Sequence, residues 1–401
     1  MADPRVAATT VLPSDSGSTL VGRVWVPEAG PRLVAVHGDE LVDVTALGPT
    51  MADLLEREKP GDDVAAGCAD RGTAQVWELV DVLHATASEA DRRRGCAGAV
   101  EIEKPVLLSP VDLQVLKAAG VTFVRSMLER VIEERVGGDP TRAAEIREQL
   151  GDTLGASIRD IEPGSEEALA ALDVLRQNGL WSQYLQVGLG TYPEVFTKGA
   201  VLSSVGHGWD VGVAGISSWN NPEPELVLVV DSSGTARGAT LGNDVNLRDI
   251  EGASALLLPL AKDNNASAAL GPFIRLFDAD FGLEQAARTT ITMRIDGEDG
   301  FELEAAAPQA EISRPVSDLV SSTINRRHQY PDGLVLFCGT PFAPTKDRDA
   351  PGMGFTHHDG DLVSISSPEL GTLVNTVAPS ESAPVWDFGI RDLIRTLSAL
   401  P

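Results

Sequence analysis

Between about residues 180 and 375 the chain is a succession of short apolar runs cut by Gly-, Asp- and Ser-rich turns, a pattern that only sheet satisfies. ELVLVVDSSGTARGATLGNDV reads as two strands around a Ser-Ser-Gly turn. TTITMRIDGEDGFELEA reads as a hairpin with Asp-Gly turn chemistry, and GLVLFCGT and GDLVSISS are further apolar strands. Nearer the start, LVGRVWVP (20–27) and RLVAVHGDELVDVT (32–45) alternate as strands, the second turning at Gly38-Asp39. TMADLLERE and QVWELVDVLHATA read as short helices, and ASEADRRRGCAG as an exposed connection in which Arg92, Arg93 and Arg94 form a solvated loop. From Val111 the spacing predicts helix through VDLQVLKAAGVTFVRSMLERVIEERV, broken near Gly120. Further helices follow in TRAAEIREQLGDTL and SEEALAALDVLRQ, started by Asp139-Pro140 and Pro163-Gly164, and DFGIRDLIRTLSAL closes the chain. The expected architecture is α+β: a small mixed N-terminal domain over residues 1–105, then a larger β-rich domain with inserted helices over 106–401.

Several function classes fall away on composition. The formal charge of −27 repels nucleic-acid phosphates. Cys68, Cys96 and Cys338 are odd in number and widely spaced, which excludes a disulfide framework and a thiolate zinc site and fits a reducing cytoplasm. The first residues, MADPRVAATTVLPSDSG, lack a basic segment followed by an apolar one, and no apolar run approaches the roughly 18 residues of a membrane span. A cytoplasmic enzyme or binding protein with no nucleic-acid or membrane partner is expected.

The densest polar information lies in residues 219–272. Glu223 and Glu225 are separated by one residue, which on a strand puts both carboxylates on one face. Carboxylates so close repel unless a cation sits between them, and a hard divalent ion prefers such oxygen ligands. The return strand ends at Asn243-Asp244 and brings a third carboxylate within range. On spacing alone the pair also fits an ordinary solvated face. Lys262-Asp263-Asn264-Asn265 adds a polar cluster just downstream.

In order along the chain, the Glu-x-Glu at 223–225, the Gly-Asn-Asp-Val-x-x-Arg-Asp run at 242–249, Lys262, Gly-Pro-Phe at 271–273 and Gly-Thr-Pro at 339–341 resemble the catalytic domain of the fumarylacetoacetate hydrolase family, over roughly residues 110–375. The resemblance implies a β-roll-like catalytic domain, a homodimer or higher homo-oligomer, and Mg²⁺ or Mn²⁺ held by Glu223, Glu225 and Asp244. It implies substrate contacts from Lys262, Gly339 and Thr340, with Arg248 and Asn264 beside them. Family hydrolases carry a Gly-x-Asn-Tyr-x-x-His-x-x-Glu run whose His and Glu activate water. Here the corresponding stretch, Gly120 to Glu129, keeps Glu129 but has Ser126 for the histidine, and serine without a partner is no base near neutral pH. The short separation of Glu225 from Asp244 also resembles the family's sugar-acid dehydratases.

Dehydration of a 2-keto-3-deoxy sugar acid, with Glu129 or Lys262 taking the C3 proton, is therefore expected ahead of two alternatives. These are hydrolysis of a diketo acid and a non-catalytic carboxylate-binding role. The histidines form no HxxxH or HxH. His357-His358 is expected at the surface, and His328 either lines a pocket or packs. Trp181, Gln183, Phe196 and Lys198 border the site or belong to the core. GLGTYP and VGHGWDVG do not complete a dinucleotide loop, and no GxSxG occurs.

Overall fold

The computed structural model describes residues 3–399 except Ser16, 97–100, Gly138, 144–145, 147–160 and Ala343. Among the described residues, eleven strands build one large open sheet. From one edge they run Val76–Glu78, Glu40–Asp43, Gly30–His37, Leu20–Val26, Ala268–Leu276, Ala236–Asp244, Pro224–Val230, Leu334–Phe337, Val115–Gly120 and Glu194–Gly199, with Val106–Leu107 paired beside Leu20–Val26. The N-terminal strands therefore lengthen the same sheet as the later ones, through the pairing of Leu20–Val26 with Ala268–Leu276. A second sheet of five strands holds Glu302–Pro308, Thr290–Asp296, Leu362–Ser367, Gly371–Pro379 and Asp210–Val213. The result is the mixed helix-and-sheet architecture expected, with no closed barrel.

The strand Pro224–Val230 explains why the sheet is stable where it matters. Leu226, Leu228 and Val230 face the five-stranded sheet and pack with Ile291, Met293, Ile295 and Ile365. Val227 and Val229 face the other way, toward Phe337, Leu116, Ile274 and Leu54. Both faces are covered, so the run is apolar without alternation. Each fully buried Leu or Val contributes about 1.5–3 kcal/mol, which makes this strand a rigid support. Its turn is closed by Asp231, whose Oδ1 accepts from the backbone N–H groups of Ser233 and Thr235, both at 2.9 Å.

Three readings of the sequence need correction. Val115–Gly120 is a strand, not helix: it pairs in parallel with Leu334–Phe337, and that burial outweighs local propensity. The helix begins only at Val124 and runs to Val136, ending on Gly137 in the left-handed conformation. Gln75–Glu78 are not helical, since Val76–Glu78 is an edge strand beside Glu40–Asp43. ASEADRRRGCAG is not an exposed connection over its first half. The helix Leu79–Arg93 continues through it because Ala87 and Ala90 pack inward, while Glu89 pairs with Arg92 and Arg93, and Arg94 pairs with buried Asp210. Residues 97–98 of that stretch, and residues 144–145 and 147–154 of the helix expected at 141–154, lie outside the described residues. No described helix is long and apolar enough to cross a membrane.

Candidate metal centre

Antiparallel pairing of Pro224–Val230 with Ala236–Asp244 places Pro224 opposite Asn243 and Glu225 opposite Gly242. Beyond the last pair, the Asp244 N–H donates to the Glu223 carbonyl at 3.0 Å, and the Glu223 N–H donates to Asn243 Oδ1 at 3.0 Å. These bonds fix the two strand ends side by side. Glu223, Glu225 and Asp244 each offer a carboxylate oxygen, all within 4.8 Å of one another and all buried. Gly339 supports the third member from the neighbouring strand end, its N–H donating to Glu225 Oε2 at 2.7 Å. That position requires glycine: φ is +89°, and a Cβ would meet Thr122 Oγ1 at 2.0 Å.

Cations already face this cluster. Lys262, the last residue of the short helix Leu258–Lys262, sends Nζ to Glu223 Oε2 at 2.5 Å and Asp244 Oδ2 at 3.1 Å. Lys198 reaches Asp244 Oδ1 at 2.9 Å and also donates to the carbonyls of Val245 and Lys262, so it fixes both neighbours. Arg130 bridges Glu223, Glu133 and Glu251, and Arg248 bridges Glu133 and Glu129 while stacking on Trp219.

Around the cluster the described residues thus supply seven carboxylates (Glu129, Glu133, Glu194, Glu223, Glu225, Asp244 and Glu251) and only four cations (Lys198, Lys262, Arg130 and Arg248). Glu225 carries the imbalance most directly. Burial, then Asp244 and Glu223, push its acid well above the usual carboxylate range. Burial acts on Asp244 in the same direction, but Lys198 and Lys262 outweigh it and hold that acid low. A divalent ion with hard oxygen preference would relieve the crowding, and the donor set fits Mg²⁺ or Mn²⁺.

A narrow cavity of about 20 Å³, roughly the room of one water, adjoins the cluster. Ser126, Gly339, Thr340, Phe196, Arg130 and Glu194 are on its wall. The roomier cavity of about 670 Å³, bordered by Trp25, Trp209, Trp386 and Phe388, contains none of the site residues expected from sequence. Its acids Glu28, Glu101, Asp387 and Asp392 form no metal-competent cluster among the described residues, so the chemistry is not placed there.

The expected residues distribute unevenly. Ser126 borders the cavity, but its hydroxyl donates to the Phe123 carbonyl at 3.0 Å. Glu129 and Arg248 border a separate small cavity and face each other at 3.5 Å. Arg248 is committed to Glu133 at 2.6 Å, a partnership at odds with the expected substrate contact. Lys262 is held protonated: burial opposes the charge, but Asp244, Glu223 and Glu251 overcome it and raise its pKa. In the metal-free chain it therefore has no lone pair with which to take a proton. Asn264 is not brought to the cluster; its side chain donates to the Leu260 carbonyl.

His357 is not at the surface. It is buried against Asp361 at 3.1 Å, because Arg348 folds the Gly-rich loop onto the same carboxylate, whereas His358 stays part-exposed. His328 is exposed and stacks on Tyr330, away from the cavity. Trp181 is exposed too, and Gln183 donates to Glu134 rather than facing the cluster.

Sequence reasoning missed Glu194, Arg130, Glu133 and Glu251. Glu194 opens the strand Glu194–Gly199, opposite Gly120, and its carboxylate has neither a hydrogen bond nor an ion pair among the described residues. Burial, then Glu251, raises its acid to about 7. As a lone glutamate after Pro193 it carries no sequence signal. Arg130 and Glu133 were readable as opposite charges three apart on one helix, though nothing marked that face as the inner one.

Residues 190–378 match the family model described as fumarylacetoacetate (FAA) hydrolase C-terminal. The match contains the acidic cluster, Glu194, Lys262 and Thr340, whereas the stretch from Gly120 to Glu129 lies outside it. The chain is 32% identical over 185 residues to 2-dehydro-3-deoxy-D-arabinonate dehydratase of Saccharolobus solfataricus, covering 46% of this chain and 58% of that one. It is 32% identical over 201 residues to a probable 2-keto-3-deoxyxylonate dehydratase of Haloferax volcanii, covering 50% and 65%. In both cases the aligned part is under two thirds of the relative's length. Among solved structures, 2-keto-3-deoxyarabinonate dehydratase superposes with a TM-score of 0.58 at 22% identity, covering 89% of this chain and 98% of the other. A 2-keto-3-deoxy-D-arabinonate dehydratase complexed with magnesium and 2,5-dioxopentanoate gives 0.57 at 21% identity, covering 90% and 99%. At these identities the structural likeness establishes the fold.

Proposed function

We propose, from the match of residues 190–378 to the fumarylacetoacetate (FAA) hydrolase C-terminal family model, that this chain is a hydro-lyase. It removes water from a 2-keto-3-deoxy sugar acid, with Mg²⁺ held by Glu223, Glu225 and Asp244. The observation that carries the reading is the convergence of those three buried carboxylates on one point, with more negative than positive charge around them. The dehydratase relatives, and the neighbour complexed with magnesium and 2,5-dioxopentanoate, support the substrate class. The catalytic part is residues 106–401, with 1–105 extending its sheet, and a homodimer or higher homo-oligomer belongs to the same reading.

When bound, a divalent ion supplies Lewis acidity that makes the hydrogen on C3, next to the ketone, easier to remove. Lys262, charged in the metal-free chain and beside the cluster, holds the substrate carboxylate together with Thr340. Glu194, on the same cavity wall and without a fixed partner, takes the C3 proton and delivers a proton to the departing C4 hydroxyl. For a five-carbon substrate, loss of one water and tautomerisation leave 2,5-dioxopentanoate. Ser126, which stands where family hydrolases carry a histidine and is bonded to a backbone carbonyl, gives no support to hydrolysis of a carbon–carbon bond.

Proton abstraction is testable apart from elimination. 2-Oxopentanoate has C3 hydrogens and no leaving hydroxyl. In D₂O with Mg²⁺ the protein is expected to exchange those hydrogens faster than buffer, and chelation is expected to stop it. Exchange at the buffer rate would sink the proposed role and favour a non-catalytic binding protein.

A further inference from the structure

Arg130 shares a carboxylate with the cluster that the metal reading needs. Its guanidinium spans three buried acids: Nη2 is 2.5 Å from Glu223 Oε1, and Nη1 is 2.5 Å from Glu133 Oε2 and 2.8 Å from Glu251 Oε2. Only Glu223 belongs to the metal-competent set. One of the three contacts therefore has two claimants, while the other two hold the arginine in place if it yields. The room available points the same way, since Arg130 borders both small cavities and the one at the cluster measures only about 20 Å³. Guanidinium cannot leave by losing its proton, so it yields only to another cation.

We propose that Arg130 is the built-in counter-ion of the cluster, displaced from Glu223 Oε1 when a divalent cation binds, and that this competition sets the affinity of the site for the ion. The inference rests on the metal reading above. An arginine that merely braced the helix Val124–Val136 would act oppositely, because its loss would loosen Glu223 and weaken binding.

The test uses the full chain stripped by a chelator and titrated with Mn²⁺, free ion being read by electron paramagnetic resonance. R130Q is expected to bind Mn²⁺ at least about tenfold more tightly than wild type, through loss of both the competitor and its charge. Unchanged or weaker binding by folded R130Q, with wild type still binding, would overturn the inference and leave the metal reading standing. Failure of both proteins to bind would remove the metal reading and the inference with it. If Glu251, left without its ion pair, prevents R130Q from folding, R130Q/E251Q compared with E251Q carries the same expectation and the same contrary result.

Discussion

Glu225→Gln is expected to abolish divalent-metal binding and lower dehydration by about 1000-fold, the several kcal/mol that Lewis-acid stabilisation supplies. The fold should survive. The glutamine oxygen still accepts from the Gly339 N–H, and the substitution removes a buried acid crowded by Asp244 and Glu223. The sign on stability is therefore opposite to the sign on activity. Folding raises the pKa of Glu225, so the stability present when the group is protonated is lost as pH rises through the folded value. In the metal-free state at neutral pH, E225Q should melt above wild type. Added Mg²⁺ should raise the melting temperature of wild type and leave that of E225Q where it was. Calorimetric titration with Mg²⁺ and paired melts check both halves. A metal-dependent rise in the variant would show that the ion binds elsewhere.

Glu194→Gln is expected to cut kcat by about 10²–10⁴-fold, the usual worth of a positioned general acid–base group, with little change in metal affinity. Wild-type kcat should climb with pH as Glu194 becomes carboxylate, with a midpoint at or below about 7, the value for the metal-free chain; a neighbouring dication favours the charged form. The residual activity of E194Q should lack that limb. Stability moves the other way. The raised carboxyl pKa means that metal-free wild type loses stability relative to E194Q as pH rises from the ordinary carboxylate range through about 7. A pH–rate profile with the limb intact in E194Q would reassign the proton to another group, Glu129 first.

The strands around the cluster were legible because each apolar run there is bounded by its own turn chemistry. The Glu-x-Glu spacing and the tight return to Asp244 allowed three carboxylates to meet, and the family resemblance of the surrounding motifs made that the expectation. What sequence did not reveal depends on partners distant along the chain. Val115–Gly120 has a helix-like spacing, and pairing with Glu194–Gly199 and with Leu334–Phe337, more than two hundred residues later, makes it a strand. The bond between Arg248 and Glu133 carries no sequence signal, because it is set by how the helix Val124–Val136 lies on the sheet. Lys262 read equally well as base or anchor. Its neighbours decide, and two of them come from the hairpin whose carboxylates it neutralises. Glu194 stayed hidden because its meaning lies in what surrounds it, not in any spacing.

The central claim is metal-dependent dehydration at this cluster. Incubating the Mg²⁺-loaded chain with a 2-keto-3-deoxypentonate and following carbon by NMR tests it most directly. Loss of one water to give 2,5-dioxopentanoate with the five-carbon chain intact, halted by chelator, is the expected result. Release of pyruvate, or turnover indifferent to the metal, would contradict it.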